Sequence, residues 1–467
     1  MVVFQAPALY VPHALNPLCN EETPMSQSFA VTNRLFLSIS IPMTLAYIST
    51  PLLGLVDTAV IGQIDNAALL GGLAVGSVIF DIVFVTFNFL RSGTTGLAAQ
   101  AFGAGNSTEI KAVLFRAVLL GLACGIVLFA IHPPILSVGL NLLGGSEEVQ
   151  AAASAYFTVR ILAAPLSLAN YAILGWFLGL GKAKTGLFIQ TFLNGVNIVL
   201  SVWFVLGLDW GITGVAAATG ISELLTLLLG AALAYRHMTG DAYPTWRQVL
   251  DKDKLIAMMT LNRDIMIRSF TLLFAFAFFT ARSADQGDTI LAANAVLEKF
   301  LLIAGYFLDG NAVAAEQIAG RAVGARYRPA FRRAVRLSLL WGFGLGGFGT
   351  LVFLGTGTYI VDFMTVNDQV RQVARDYMLW ASLGPVVGTL AYQMDGVFIG
   401  ATWSKDMRNM MLISLAVFLA SYYALFPQLG NHGLWLAMLI FLSARGLSLL
   451  YMCRLREEQQ FCPKPAE

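Results

Sequence analysis

Charge is scarce in this sequence. Only 12% of its 467 residues are Asp, Glu, Lys or Arg, about half the share of an ordinary globular chain, and that deficit excludes a soluble enzyme. Cysteine is scarcer still. Cys19, Cys124, Cys453 and Cys462 stand far apart without a CxxC pair, so neither a zinc site nor a disulfide framework is expected and all four read as free thiols. His13, His132, His237 and His432 are scattered singly, with no HExxH and no GxSxG, which leaves metalloprotease and serine-hydrolase chemistry without a motif. The Gly181-Lys182 dipeptide has Trp176 where a P-loop requires its first glycine, so nucleotide-driven pumping is not encoded. A net charge of +2 gives no footprint for nucleic acid. The first 34 residues lack a basic segment followed by an apolar one, so no cleaved signal peptide is visible. Met25 is an alternative initiator to Met1.

What is present is apolar length. Hydrophobic residues make up 57% of the chain and the mean hydropathy is +0.71. At about 20 to 25 residues per span, this is an all-α integral membrane protein of twelve helices. Apolar stretches place them at 35–62, 67–99, 109–132, 150–180, 185–206, 211–235, 262–282, 290–320, 331–354, 370–400, 405–427 and 432–453. Alternate loops separate by charge. Lys111, Lys182, Lys184, Arg236, Lys252, Arg326, Arg332, Lys405 and Arg454 fall in one set, whereas 63–66, 133–149, 207–210, 283–289, 355–369 and 428–431 hold no Lys or Arg. By the positive-inside rule both termini and the basic loops are cytoplasmic.

The chain divides into a polar tail (1–34), a six-helix lobe (35–235), a charged linker (236–261), a second six-helix lobe (262–453) and a tail (454–467). The lobes repeat at one offset. Ala74 plus 221 is Ala295, and Gly103, Gly175, Phe177 and Lys184 likewise match Gly324, Gly396, Phe398 and Lys405. Two pseudo-symmetric lobes of even helix number, facing each other across a central cleft, form the architecture of an alternating-access carrier.

Ionisable groups inside spans are functional candidates by default. Asp57 lies on the first span, and Asn194, Asn197 and Ser201 form a polar stripe on the fifth, at a depth shared with Thr219 on the sixth. Asp309 and Asp395, with Asn88 as the repeat partner of Asp309, are candidates for a cleft that attracts cationic cargo or holds a second ion. Arg268 is a basic group able to neutralise that pair. Asp81, Arg160, Glu223, Glu298, Glu316 and Arg445 read as interlobe or interhelix pairs, and Tyr47, Phe84, Tyr392 and Met394 as a soft wall of the cleft. Pro42, with Pro51 as a second pivot, is expected to kink the first span.

The stretch from Ile41-Pro42 to Pro51-Leu52-Leu53-Gly54-Leu55-Val56-Asp57-Thr58-Ala59-Val60-Ile61-Gly62 resembles the first helix of multidrug and toxic compound extrusion transporters, and Ala98-Ala99-Gln100-Ala101-Phe102-Gly103-Ala104 resembles the end of their second. Leu261-Asn262-Arg263-Asp264, Leu308-Asp309-Gly310, Met394-Asp395-Gly396 and Gly430-Asn431-His432 are similar to the subgroup named after DNA-damage-inducible protein F. The resemblance covers roughly 30–453. It implies a non-enzymatic exporter that antiports organic, cationic and amphipathic compounds against H+ or Na+ and needs no other cofactor. It also implies that Asp57 couples the ion with Asn197 and Thr219, with Na+ as an alternative at Asp57, and that Pro42 is the hinge. Where that family often carries a second acid, this sequence has Ser201. The expected setting is a bacterial inner membrane, with a monomer in contact with lipids. A lipid-linked precursor flippase of the same superfamily is the alternative, and it would need a strongly cationic cleft.

Overall fold

In the computed structural model, which describes residues 29–64, 66–238 and 243–462, every regular element among the described residues is helical. The first half comprises α1 (Asn33–Ile61), α2 (Ala67–Thr86), α3 (Phe89–Gly103), α4 (Ser107–Ala130), α5 (His132–Leu143), α6 (Glu147–Ile161), α7 (Ala164–Gly179), α8 (Ala183–Val202) with a π-helical extension Trp203–Gly207, and α9 (Gly211–His237). After the short α10 (Trp246–Val249) come α11 (Lys252–Ala284), α12 (Asp288–Gly324), α13 (Arg328–Met364), α14 (Asp368–Gly400), α15 (Ser404–Leu429) and α16 (Asn431–Phe461). Met25 and Cys19 lie outside the described residues.

Each of the twelve expected helices has a counterpart. Ten are long and apolar enough to cross a membrane, and α6 with α7, bent by 54° between them, makes an eleventh. The remaining counterpart, α14, has 33 residues, about 50 Å at the helical rise. Small and polar residues such as Gly388, Thr389, Gln393 and Asp395 dilute its apolar run. Several boundaries differ from the hydropathy reading, with α13 running to Met364 rather than 354 through the uncharged stretch 355–361. α11 starts at Lys252 rather than 262, and α16 continues to Phe461 rather than 453, because charged helical turns extend beyond the apolar segment. The loop expected at 133–149 is in part helical, as α5, with proline in its first turn where a missing N–H costs nothing.

The 221 offset holds in three dimensions. α2 begins at Ala67 and α12 at Asp288, α3 ends at Gly103 and α12 at Gly324, and α7 ends at Gly179 and α14 at Gly400. Six of the left-handed turn residues pair at that spacing, Gly105 with Arg326, Gly181 with Thr402, and Asp209 with Gly430, whereas Gly144, Gly145, Gly211 and Gly287 do not. Helices broken in the first lobe (α2 to α3, α4 to α5, α6 to α7) are continuous in the second as α12, α13 and α14.

Large apolar side chains such as Leu55, Val127, Val199, Phe348 and Leu351 point outward, as a hydrocarbon solvent requires. At the basic-loop end the lobes meet backbone to backbone. A Cβ on Gly103 would overlap the carbonyl of Arg321, and one on its repeat partner Gly324 would overlap that of Gln100. Two glutamines cross the seam: Gln100 Nε2 donates to the Gly400 carbonyl at 3.1 Å and Gln317 Nε2 to the Gly179 carbonyl at 3.4 Å. Those acceptors are themselves repeat partners. Cys124 and Cys453 are free thiols, but Cys462 is disulfide-bonded, which corrects the expectation of four free thiols.

Candidate functional site

Inside the N-terminal lobe, α1, α8 and α9 bring Asp57, Asn197, Ser201 and Thr219 together, all buried. Ser201 Oγ lies 3.0 Å from Asp57 Oδ1 and 3.1 Å from Asn197 Oδ1. Asn197 Nδ2 donates to Thr219 Oγ1 at 2.9 Å, and Thr219 Oγ1 donates to the Val215 carbonyl at 3.1 Å. The stripe continues toward the other end of α8, where Asn194 Nδ2 donates to Ser49 Oγ at 2.9 Å.

The hydrogen count of this cluster is informative. A hydroxyl has one proton to donate, and Ser201 faces two acceptors. With Asp57 ionised, one of them goes without. With a proton on Asp57, the acid donates to Ser201, Ser201 donates to Asn197, and every group in the row is satisfied.

Adding 221 to Asp57, Asn197 and Ser201 gives Phe278, Phe418 and Tyr422 in the second lobe. These three also meet, with Phe278 edge-on to Phe418 at 5.7 Å and to Tyr422 at 5.0 Å between ring centroids. The same junction is polar in one lobe and aromatic in the other.

Between the lobes lies a cavity of about 360 Å³, with Tyr47, Asn88, Arg91, Arg268, Asp309, Glu316, Tyr392 and Asp395 among its lining. Asn88 sits at the break between α2 and α3, and its Oδ1 accepts from Arg91 Nε at 3.0 Å. Asp309 is exposed to the cavity, makes no hydrogen bond or ion pair among the described residues, and faces Arg91, Arg268 and Arg445 electrostatically. Asp395 behaves differently from the expectation of a free cleft acid. Its Oδ2 accepts from both Arg268 and Arg445, so two guanidiniums neutralise it and it is not available as a second cation site. Tyr47 and Tyr392 line the cavity as expected, whereas Phe84 and Met394 belong to the packed core.

Among the remaining intramembrane charges, Arg160 faces Asp81, Asp57 and Glu223 electrostatically. Glu223 accepts from Asn170 Nδ2 at 2.6 Å, Arg160 bonds the Tyr156 hydroxyl and covers the Phe80 ring at 4.0 Å, and Glu298 reaches Thr280 at 3.5 Å. Asp81 is exposed. Arg91 was not among the expected site residues. The signal was present, since it is a lone cation within the stretch read as the second span, one turn after Asn88. α1 passes without interruption through Pro42 and Pro51, and carries Tyr47 at the cavity and Asp57 in the polar cluster.

The MatE family profile matches the chain twice, over residues 42–203 and 265–423. This chain belongs to the MatE family. The two matches fall one in each lobe, in keeping with the repeat. DNA damage-inducible protein F of Escherichia coli (strain K12) is 40% identical over 430 residues, 89% of this chain and 91% of that one. A probable multidrug resistance protein NorM of Oceanobacillus iheyensis is 22% identical, covering 89% and 95%. A multidrug resistance MATE family transporter solved in an outward-facing conformation superposes with a TM-score of 0.81 at 18% identity, covering 91% of this chain and 96% of that one. The fold is therefore that of these transporters, two six-helix lobes around a central cleft. Family members handle small molecules and are not enzymes, in line with the absence of catalytic motifs.

Proposed function

We propose that this chain is a secondary active exporter that moves small amphipathic compounds by alternating access, driven by protons taken up at Asp57. The observation that carries this reading is the contrast at the repeated junction. Phe278, Phe418 and Tyr422 fill that place in the second lobe, so the fold does not require Asp57, Asn197 and Ser201 there. A buried carboxylate kept where aromatic packing would serve is a cost that function explains.

The hydrogen count supports a proton as the coupling ion. A proton completes the row from Asp57 through Ser201, Asn197 and Thr219 without moving a heavy atom, because the neighbouring distances are already 2.9 to 3.1 Å. Sodium would have to push these oxygens apart to gather them around itself. With the basic loops cytoplasmic, the Gly103–Gly324 seam closes the cytoplasmic end, and the described conformation is outward-facing. Protonation at Asp57 removes the charge from α1 and changes the partner of Ser201. Because the same helix presents Tyr47 to the cavity, that local change reaches the cargo wall, with Pro42 and Pro51 as the places where α1 lacks a backbone donor. Release of cargo, inward closure of the lobes and loss of the proton to the cytoplasm complete the cycle. A flippase of lipid-linked precursors is the weaker reading, since the cavity arginines Arg91 and Arg268, with the buried Arg445 behind them, are matched in number by Asp309, Glu316 and Asp395.

The test is transport in proteoliposomes under pH and sodium gradients imposed separately. A pH gradient alone is expected to drive dye movement. Movement under sodium alone would overturn the proton assignment, and movement under neither would overturn the export reading.

A further inference from the structure

At the basic-loop end the second lobe closes with its own side chains. Glu457 on α16 accepts from Arg328 Nε at 2.7 Å and from Arg332 Nε, both on α13. Trp403 fills the neighbouring space, its ring 5.5 Å from Phe331 and 5.5 Å from Phe398 between centroids. Subtracting 221 from Arg332, Glu457 and Trp403 gives Lys111, Arg236 and Lys182 in the first lobe. A cation therefore stands where the second lobe has its acid, and another where it has its tryptophan. In the first lobe this place is a pocket of about 390 Å³, with Lys111, Lys182, Arg236 and the Ser107 at the start of α4 in its lining. Among the described residues no carboxylate lines it. Glu109, two residues before Lys111, is taken by Arg116 at 2.8 Å and by Lys254 at 2.5 Å.

We propose that this pocket binds the phosphodiester headgroup of an anionic membrane lipid at Arg236 and Lys182, beside Lys111, and that the lipid ties α9 to α8 and α4 as Glu457 ties α16 to α13. A guanidinium and an ammonium recognise a phosphate through charge-assisted hydrogen bonds, and basic pockets between spanning helices are suited to anionic headgroups. Two observations favour a lipid over a soluble anion. The pocket lies at the ends of the membrane-crossing helices α4, α8 and α9 and sets its cations beside the apolar Phe102, Ile110 and Leu180, which suit the glycerol and first methylenes of a lipid. Tyr235, Tyr243 and Trp246, which flank Arg236 along the chain, are all exposed, and the Tyr243 ring lies 4.3 Å from the Lys111 ammonium. Tyrosine and tryptophan so placed sit at the level of lipid headgroups.

The test follows the melting temperature of the full-length protein in detergent during titration with dioctanoyl phosphatidylglycerol, with dioctanoyl phosphatidylcholine, which has the same tails and no net charge, and with inorganic phosphate. Phosphatidylglycerol is expected to raise it, and the other two to leave it near its starting value. Arg236→Gln and Lys182→Gln, both at exposed side chains, should each raise the half-saturating phosphatidylglycerol concentration about fivefold. Arg332→Gln in the second lobe should leave that concentration unchanged, because Glu457 occupies the equivalent place there. Equal stabilisation of the unmodified protein by the two lipids would overturn the proposal, and that comparison needs no variant to fold. Stabilisation by inorganic phosphate at the same concentrations would assign the pocket to a soluble anion and overturn the lipid. A shift in Arg332→Gln as large as that in Arg236→Gln would mean attraction to the whole basic surface and no site. None of these outcomes depends on transport, so the export reading stands or falls separately.

Discussion

At the depth where the N-terminal lobe joins Asp57, Asn197 and Ser201 by hydrogen bonds, the C-terminal lobe packs Phe278, Phe418 and Tyr422 against one another. The helices that carry them correspond one for one at an offset of 221 residues. Backbone geometry alone therefore selects neither solution. The aromatic junction stabilises its lobe by burial and ring contacts of about 0.5–1.5 kcal/mol per pair beyond area. In the cycle proposed above the polar junction responds to a proton, so that one lobe serves as a fixed support at this place and the other as a moving part.

The largest effect expected from breaking this contrast is on transport. Asp57→Asn keeps the shape of the side chain but removes the titrating group, and gradient-driven dye efflux in proteoliposomes should fall to background, a loss of about 100-fold or more by analogy with other proton-transfer groups. Its melting temperature should stay close to that of the unmodified protein. A variant that still couples efflux to the pH gradient would show that the proton enters elsewhere.

The matching position in the second lobe should behave in the opposite way. Phe278→Ala opens a gap between Phe418 and Tyr422 and should destabilise the protein, by less than the loss of about 3–5 kcal/mol expected for a fully buried phenylalanine because Phe278 is half-buried, read as a fall in melting temperature in detergent. The surviving folded fraction should retain its pH-gradient dependence. If Phe278→Ala instead uncoupled transport at unchanged stability, the division into support and moving part would be wrong.

Where the lobes are alike, equivalent changes should cost alike. A methyl group on Gly103 meets the Arg321 carbonyl and one on Gly324 meets the Gln100 carbonyl, so Gly103→Ala and Gly324→Ala should each destabilise the closed seam by about 1–3 kcal/mol. Labelling of a cysteine placed in the seam should rise similarly in both. A large effect in one variant only would mean that the crossing is not symmetric in use.

Much of this was legible in one dimension. The offset that relates Ala74 to Ala295 also locates the helix ends and the left-handed turns, because each lobe repeats its turn chemistry as well as its apolar spacing. The row Asn194, Asn197, Ser201 could be read because helical periodicity puts the three on one face. The arginine pair on Asp395 could not. Arg268, Asp395 and Arg445 come from α11, α14 and α16, and no spacing within a helix reports a contact made across three of them. The charged start of α11 was hidden for a different reason. Hydropathy registers where a helix enters the apolar layer, not where its hydrogen bonding begins, and Asp251 caps this helix by accepting from Asp253 N and Lys254 N at 3.1 Å, outside that layer.

The smallest expected effect probes how the proton is held. Ser201 has one hydrogen and two acceptors, Asp57 Oδ1 at 3.0 Å and Asn197 Oδ1 at 3.1 Å, so Ser201→Ala removes a donor from the ionised state and both a donor and an acceptor from the protonated state. Loss of a buried hydrogen-bonding partner costs about 1–3 kcal/mol, and the two states lose unequal amounts. Coupled efflux should therefore persist but slow by about tenfold, with its pH midpoint displaced. Ser201→Thr, which restores the hydroxyl, should recover most of the rate. A Ser201→Ala variant that matched Asp57→Asn in severity would make the hydroxyl part of the proton path itself. One with no effect at all would leave Asp57 acting alone, and the contrast with Phe278, Phe418 and Tyr422 would reduce to a single residue.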